Sequence, residues 1–182
     1  MIISEELKRN NIAEYILYMW QTEDMIRSFD FNIERIKEEV VEQYDISEDI
    51  KNKIPKWYKG LIQMMELENI KDSGHLQVIN NIVNDLNDLH LWLLSQPSEI
   101  KYKNYYEAAV LNIKALAGRM PGTTKNEIDI CLHGLYAIML LKLKNKEIGK
   151  ETTNAVDSFR YLIAMLVSKY NDREAHPEKY YQ

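Results

Sequence analysis

The sequence predicts an all-α protein, a single helical bundle of about seven helices around one central apolar helix at about residues 127–144. Apolar residues recur at spacings of three and four in every long segment, which is the period of a helix with one buried face. Only six Gly and four Pro occur in 182 residues, too few for a turn-rich β fold. The links between the periodic segments are short, which favours antiparallel neighbouring helices.

Three helical segments are predicted in the N-terminal part of the chain. The first covers 11–28, with an asparagine at its start that suits a helix cap. A shorter one covers 33–44, and a third carries apolar residues over 50–64. Pro55 lies inside this third pattern and predicts either a kink or a new helix start. Gly74 is expected to end the segment as a left-handed cap.

Two helices are predicted before the central one, and one after it. They cover about 75–95 and 98–120, and the last helix follows Gly149. The apolar pattern stops at Arg173. We therefore predict one domain over the whole chain, with its first nine or so residues and 173–182 as terminal tails.

The central helix is predicted from an apolar surface that covers more than half of its circumference. Its apolar residues stand at positions 128, 131, 132, 135, 136, 138, 139 and 143. The preceding Pro121-Gly122 predicts a turn. Thr124-Lys125-Asn126-Glu127 fits a capping box, in which the Thr124 hydroxyl and the Glu127 carboxylate satisfy backbone N–H groups.

The composition argues against several classes of function. A net charge of −5 disfavours a nucleic-acid partner, since phosphate binding needs clustered Lys and Arg. No stretch is long and uncharged enough to cross a membrane, and the N-terminal residues lack the basic region of a signal peptide. The single cysteine, Cys131, permits no internal disulfide. We therefore expect a cytoplasmic protein with no membrane partner.

No familiar chemical motif is present in the sequence. Glycine-rich phosphate loops, the nucleophile elbow and paired Glu-x-x-His spacings are all missing. Cys131 lies on the predicted central helix, where a buried and protonated thiol is inert. We therefore predict no catalytic residue, no metal site and no cofactor.

Polar residues on or beside apolar stripes are the candidates for a polar core or pocket. They are Glu23, Asp24, Arg27, Asp85, Asp88, His90, Asp129 and His133. Glu23 should have a hydrogen-bonding or charged partner, because a lone buried carboxylate is costly; if its helix met the fourth one, it would pair with His90. His90 has two interpretations. It is either a core histidine with satisfied ring nitrogens or a proton-transfer group or ligand anchor in a small pocket.

Four stretches carry a resemblance to a known family. They are residues 12–21 (Ile-Ala-Glu-Tyr-Ile-Leu-Tyr-Met-Trp-Gln), 74–76 (Gly-His-Leu), 84–90 (Asn-Asp-Leu-Asn-Asp-Leu-His) and 135–136 (Leu-Tyr). With these, the chain resembles an uncharacterised family of small helical proteins, found mainly in Bacteroidetes and grouped as a domain of unknown function. The resemblance implies an all-α cytoplasmic protein, and it implies no activity and no catalytic residues.

Two functional hypotheses follow from these observations. The first is a non-enzymatic protein that acts through self-association or through contacts with another, unidentified protein. A homodimer is expected, because two-fold dimers are the commonest assembly. The alternative is an enzyme or a small-ligand sensor with a polar pocket around His90.

Overall fold

All regular secondary structure in the computed structural model, which describes residues 2–120 and 126–180, is helical. The α-helices are α1 (Ile2–Asn10), α2 (Ile12–Ser28), α3 (Ile33–Glu39), α4 (Glu48–Lys51), α5 (Ile54–Leu67), α6 (Gln77–Ser95), α7 (Ile100–Ala117), α8 (Glu127–Leu143) and α9 (Lys150–Ala175). Short 3₁₀ helices lie at Val41–Gln43, between α3 and α4, and at Pro177–Lys179, after α9. The predicted all-α class is confirmed.

The chain divides into two compact units, Met1–Asn81 and Ile82–Gln182, and the boundary falls within α6. Two compact units can belong to one domain, so the predicted single domain stays a prediction.

The first unit begins with a helix where a tail was predicted. Residues Ile2–Asn10 form α1, which packs against α2. Glu5 lies in its first turn and Lys8 and Arg9 in its last, an order that favours a helix through its dipole. Glu, Leu, Lys and Arg are also strong helix formers, and this local propensity decides the structure here although the apolar stripe is short.

The helix starts in the first unit follow local rules. Asn11 caps α2, because its side-chain oxygen accepts a hydrogen bond from the Glu14 N–H at 3.3 Å. Pro55 is the second residue of α5, so the predicted new helix start is confirmed and a kink is not formed. The predicted cap at Gly74 is wrong. The residue with positive φ (56°) just after α5 is Asn69, whereas Gly74 (φ 94°) lies farther along the loop.

In the second unit, α7 and α9 run antiparallel. Three contacts show this direction, because positions that increase along α7 meet positions that decrease along α9. They join Glu99 to Lys169 at 2.6 Å, Tyr105 to Tyr161 with ring centroids 6.3 Å apart, and Asn112 to Ser158 at 3.1 Å. Helix α9 also packs against α8, and a glycine permits their close approach. A Cβ added at Gly134 would lie 2.8 Å from the Phe159 ring.

Helix α8 matches the bounds predicted for the apolar helix at 127–144, and seven of its residues are buried. Its N-cap is Asn126, whose side chain accepts from the Asp129 N–H at 2.8 Å. The predicted capping box is therefore wrong in register, because Glu127 is the first residue inside the helix; Thr124 lies outside the described residues. The central position of α8 in the bundle stays a prediction.

Helix α9 continues past Arg173, where the apolar pattern ends. Arg173 is only 7% exposed, because its guanidinium forms a two-point salt bridge to Asp85 at 3.0 and 2.5 Å. The Tyr180 hydroxyl donates to Asp172 at 2.8 Å, and the Tyr180 ring lies against Trp92. The described part of the predicted C-terminal tail is thus held by polar and aromatic contacts, which apolar periodicity does not detect.

Candidate functional site

Four side chains of the second unit form a hydrogen-bonded group, here named the His90 cluster: His90, Tyr102, Tyr106 and Glu127. The Nδ1 atom of His90 lies 2.6 Å from the Tyr102 hydroxyl, and its Nε2 atom lies 3.2 Å from a Glu127 oxygen. The Tyr106 hydroxyl donates to the other Glu127 oxygen at 3.1 Å. His90 and Tyr102 are fully buried, whereas the Glu127 side chain is 32% exposed.

Local helix geometry places these groups. Tyr102 and Tyr106 lie one turn apart on α7, so both rings reach the same side of the helix. Their centroids lie 5.7 and 5.2 Å from the His90 ring in edge-to-face geometry. Glu127 is the first residue of α8, where the helix dipole favours a carboxylate.

One protonation pattern satisfies the polar atoms of the cluster. Glu127 accepts from the Tyr106 hydroxyl and from the His90 Nε2–H, and His90 Nδ1 then accepts from the Tyr102 hydroxyl. Burial lowers the pKa of His90, and the nearby Glu127 carboxylate offsets only part of that effect. Burial also raises the pKa of Tyr102. The imidazole is therefore neutral and the phenol protonated near neutral pH.

The His90 cluster is suited to holding three helices together. The Tyr102 hydroxyl is fully buried, so a substrate does not reach it in this conformation. Within the cluster, only the Glu127 and Tyr106 side chains are exposed to solvent, and both are partly buried. This geometry agrees with the first interpretation of His90, a core histidine whose two ring nitrogens have partners.

A second polar group lies in the first unit, around Glu23. This carboxylate is fully buried; one oxygen lies 2.7 Å from His75 Nδ1 and the other accepts the Leu76 N–H at 3.1 Å. The Trp20 ring stacks on His75 at 4.4 Å. The N–H groups at a helix start have no acceptor within the helix. Glu23 supplies an acceptor for the Leu76 N–H at the start of α6. The expected partner of Glu23 therefore exists, and it is His75 rather than His90.

Asp24 and Arg27 hold the loop before α6. The Arg27 guanidinium donates to the Ile70 carbonyl at 3.2 and 3.3 Å and to the Gly74 carbonyl, and it forms an ion pair with Asp24 at 2.8 Å. The Asp24 side chain is 47% exposed, so this pair is at the surface. Arg27 thus ties α2 to the loop through backbone acceptors.

The remaining predicted residues have separate roles. Asp85 forms the salt bridge with Arg173, and Asp88 is exposed on α6. His133 Nδ1 lies 2.9 Å from the Asp129 carbonyl oxygen and 3.1 Å from its carboxylate, one turn earlier on α8. The first of these contacts joins α6 to α9 and the others lie within α8, and none of them involves His90.

Four hydrogen-bonding partners of the candidate residues were not predicted from the sequence: His75, Tyr102, Glu127 and Arg173. A signal for two of them exists in the sequence. Tyr102 stands on the apolar stripe of α7, and a buried phenol needs a hydrogen-bond partner. Glu127 is the first residue of α8, but the capping-box pattern predicts a local role for its carboxylate and not a contact with another helix.

Metal-binding, nucleophilic and membrane-spanning features are the other possibilities within residues 2–120 and 126–180. No group of three or more His, Cys, Asp or Glu side chains there is placed to hold a metal ion. Burial raises the pKa of the Cys131 thiol, which keeps it protonated and a poor nucleophile. None of the helices in these ranges is long and apolar enough to cross a membrane.

An exposed apolar surface covers two adjoining helices of the second unit. The α7–α9 face, as we name it, consists of Tyr105, Ala108, Leu111, Tyr161 and Ala164. Leu111 is 75% exposed and Tyr161 is 60% exposed. Ala108 precedes Leu111 by three residues on the exposed side of α7, and Ala164 follows Tyr161 by three on α9. The stacked rings of Tyr105 and Tyr161 join the two helices.

Comparison with known proteins gives one relationship. Searches of curated proteins and of solved structures return no significant match. A family model matches residues 1–176, a range that includes α1 through α9. The predicted resemblance to a domain of unknown function is therefore confirmed: the chain belongs to the family described as Domain of unknown function (DUF4924).

Proposed function

We propose that this protein is a non-enzymatic helical protein that acts through self-association at the α7–α9 face. The observation that carries the proposal is the exposure of Leu111 and Tyr161 on adjoining helices. Single exposed apolar residues are common on protein surfaces. Two large ones on neighbouring helices, with the Tyr105 ring stacked on Tyr161, form the kind of patch that marks a contact surface. A second protein surface would remove this apolar area from water.

The polar groups support a non-enzymatic role. The imidazole of His90 is engaged at both nitrogens, and the Glu23 carboxylate is engaged at both oxygens. Their partners are residues of the same chain, which is typical of structural networks. We place the protein in the cytoplasm, because a reducing compartment suits a chain with a single, buried cysteine.

Sedimentation velocity over a wide range of protein concentration tests this proposal. We expect a reversible monomer–dimer equilibrium with the homodimer dominant at high concentration. A monomer at every concentration would contradict it.

A second candidate function is a small-ligand sensor or enzyme at the His90 cluster. The observation that favours it is the Glu127 carboxylate, which is oriented by His90 and Tyr106 while a third of it faces solvent. Such a carboxylate would bind a cationic or hydroxyl-bearing ligand. This candidate predicts that gently purified protein retains an extra mass in native mass spectrometry, and that Glu127→Gln loses it while keeping its helical circular dichroism. Bare chains, or an unchanged extra mass in the variant, would contradict it.

A further inference from the structure

We infer that the occupant of the α7–α9 face is a second copy of this chain, with the two α7 helices antiparallel and crossing near Leu111. The inference rests on the proposed function, self-association, and specifies the orientation of the partner. It follows from the charges that flank the apolar surface of α7.

Two opposite charges lie on either side of Leu111. Glu107 is one turn before it and Lys114 one turn after it, and both side chains are exposed. All three residues therefore lie on the outer side of α7. This arrangement gives the helix a negative and a positive end around an apolar centre.

Under two-fold symmetry, the charged residues on either side of Leu111 make this surface of α7 complementary to the same surface of a second copy. In an antiparallel pair centred on Leu111, positions before the centre on one helix face positions after the centre on the other. Glu107 of each copy then faces Lys114 of the other, which makes two ion pairs. A parallel pair would instead place Glu107 against Glu107 and Lys114 against Lys114. Like charges disfavour that arrangement, so the charges select the antiparallel one.

The sizes of the neighbouring side chains suit this arrangement. Ala108 is exposed one turn from Leu111, and a small residue there lets the second helix approach closely. Tyr161 adds aromatic area, and tyrosine is enriched in the buried centres of protein interfaces. Asp157 lies one turn before Tyr161 on α9, and its ion pair with Arg160 supplies a polar edge to the apolar surface.

A charge-swap series tests the orientation. Glu107→Lys alone and Lys114→Glu alone each bring like charges together twice, so each should weaken the dimer by about tenfold in Kd. The double variant Glu107→Lys/Lys114→Glu restores opposite charges and should return the Kd to that of the unmodified chain. Sedimentation equilibrium measures all four proteins. Two weakened single variants without rescue in the double variant would overturn the antiparallel pairing.

A matched pair of leucine variants tests the position of the contact. Leu111→Lys should leave the protein monomeric, whereas Leu67→Lys, at an 81% exposed leucine of α5 in the first unit, should leave the dimer unchanged. Circular dichroism of both variants checks that the helices are retained. A dimer that survives Leu111→Lys would overturn this inference and leave self-association standing. A monomeric unmodified chain would overturn both.

Discussion

The imidazole of His90 and the hydroxyl of Tyr102 form a 2.6 Å hydrogen bond between two fully buried side chains. This bond explains why a histidine occupies the apolar stripe of α6: its partner comes from α7, twelve residues later in the chain. The second nitrogen is held by Glu127 at the start of α8. One imidazole thus joins three helices of the second unit.

Tyr102→Phe tests the contribution of this bond to stability. It should lower the free energy of unfolding by about 1–3 kcal/mol, because a buried His90 nitrogen loses its hydrogen-bond donor. Urea denaturation at fixed protein concentration measures the change. Thr152→Val, which removes an exposed hydroxyl far from the α7–α9 face, is the control and should change the free energy by less than about 0.5 kcal/mol. Equal effects of the two substitutions would contradict the structural role of the bond.

The pH dependence of stability tests the neutral state of His90. Burial holds the folded-state pKa of His90 below its usual value, so the unfolded chain binds more protons once the pH falls below about 6.5. Stability should therefore fall as the pH drops from about 7.5 to about 5.5, with a contribution from His90 of up to about 1.4 kcal/mol per pH unit.

His90→Gln isolates this contribution from that of other titrating groups. The variant keeps a polar amide but does not titrate, so its unfolding free energy should decline less steeply with falling pH than that of the unmodified chain. Urea denaturation at a series of pH values compares the two slopes. The same slope in both proteins would show that His90 is not held neutral by burial.

Glu23→Gln tests the buried carboxylate of the first unit. The amide oxygen can accept only one of the two hydrogen bonds, and its NH₂ group would face either His75 or the Leu76 N–H. We expect a loss of about 1–3 kcal/mol in unfolding free energy. Asp24→Asn, next along the helix and 47% exposed, should cost less than about 1 kcal/mol. Similar losses in thermal or urea denaturation would indicate that Glu23 is not buried.

Gly134 and Gly60 form a matched pair of helical glycines. Alanine normally stabilises a helix by about 1 kcal/mol over glycine, and a Cβ at Gly60 meets nothing within 4 Å. A Cβ at Gly134 would lie 2.8 Å from the Phe159 ring, so the overpacked contact between α8 and α9 should cost about 1–3 kcal/mol. Gly60→Ala should therefore raise the melting temperature and Gly134→Ala lower it. A rise in both would contradict the close approach of the two helices.

The helices were largely predictable, because helix formation depends on local patterns. Asn11 as a cap and Pro55 as a residue of a first turn are decided by neighbours within a few positions. The need of Glu23 for a partner was also predictable, since it follows from burial alone. The periodicity of apolar residues and the local capping patterns are therefore sufficient to predict helix starts and buried polar positions.

The partners were not predictable, because they are far apart in the chain. His75 lies 52 residues from Glu23, and Glu127 lies 37 residues from His90. Nothing local indicates which buried polar groups will meet. The end of α9 was missed for a similar reason: Arg173 is buried by a salt bridge to Asp85, 88 residues away, and charged residues leave no mark in an apolar pattern.

Native mass spectrometry of the gently purified full chain tests self-association most directly, because one spectrum reports the oligomeric state and any bound mass together. We expect a homodimer of bare chains that dissociates on dilution and in Leu111→Lys. A monomer at every concentration, or a monomer carrying a retained small molecule, would contradict it.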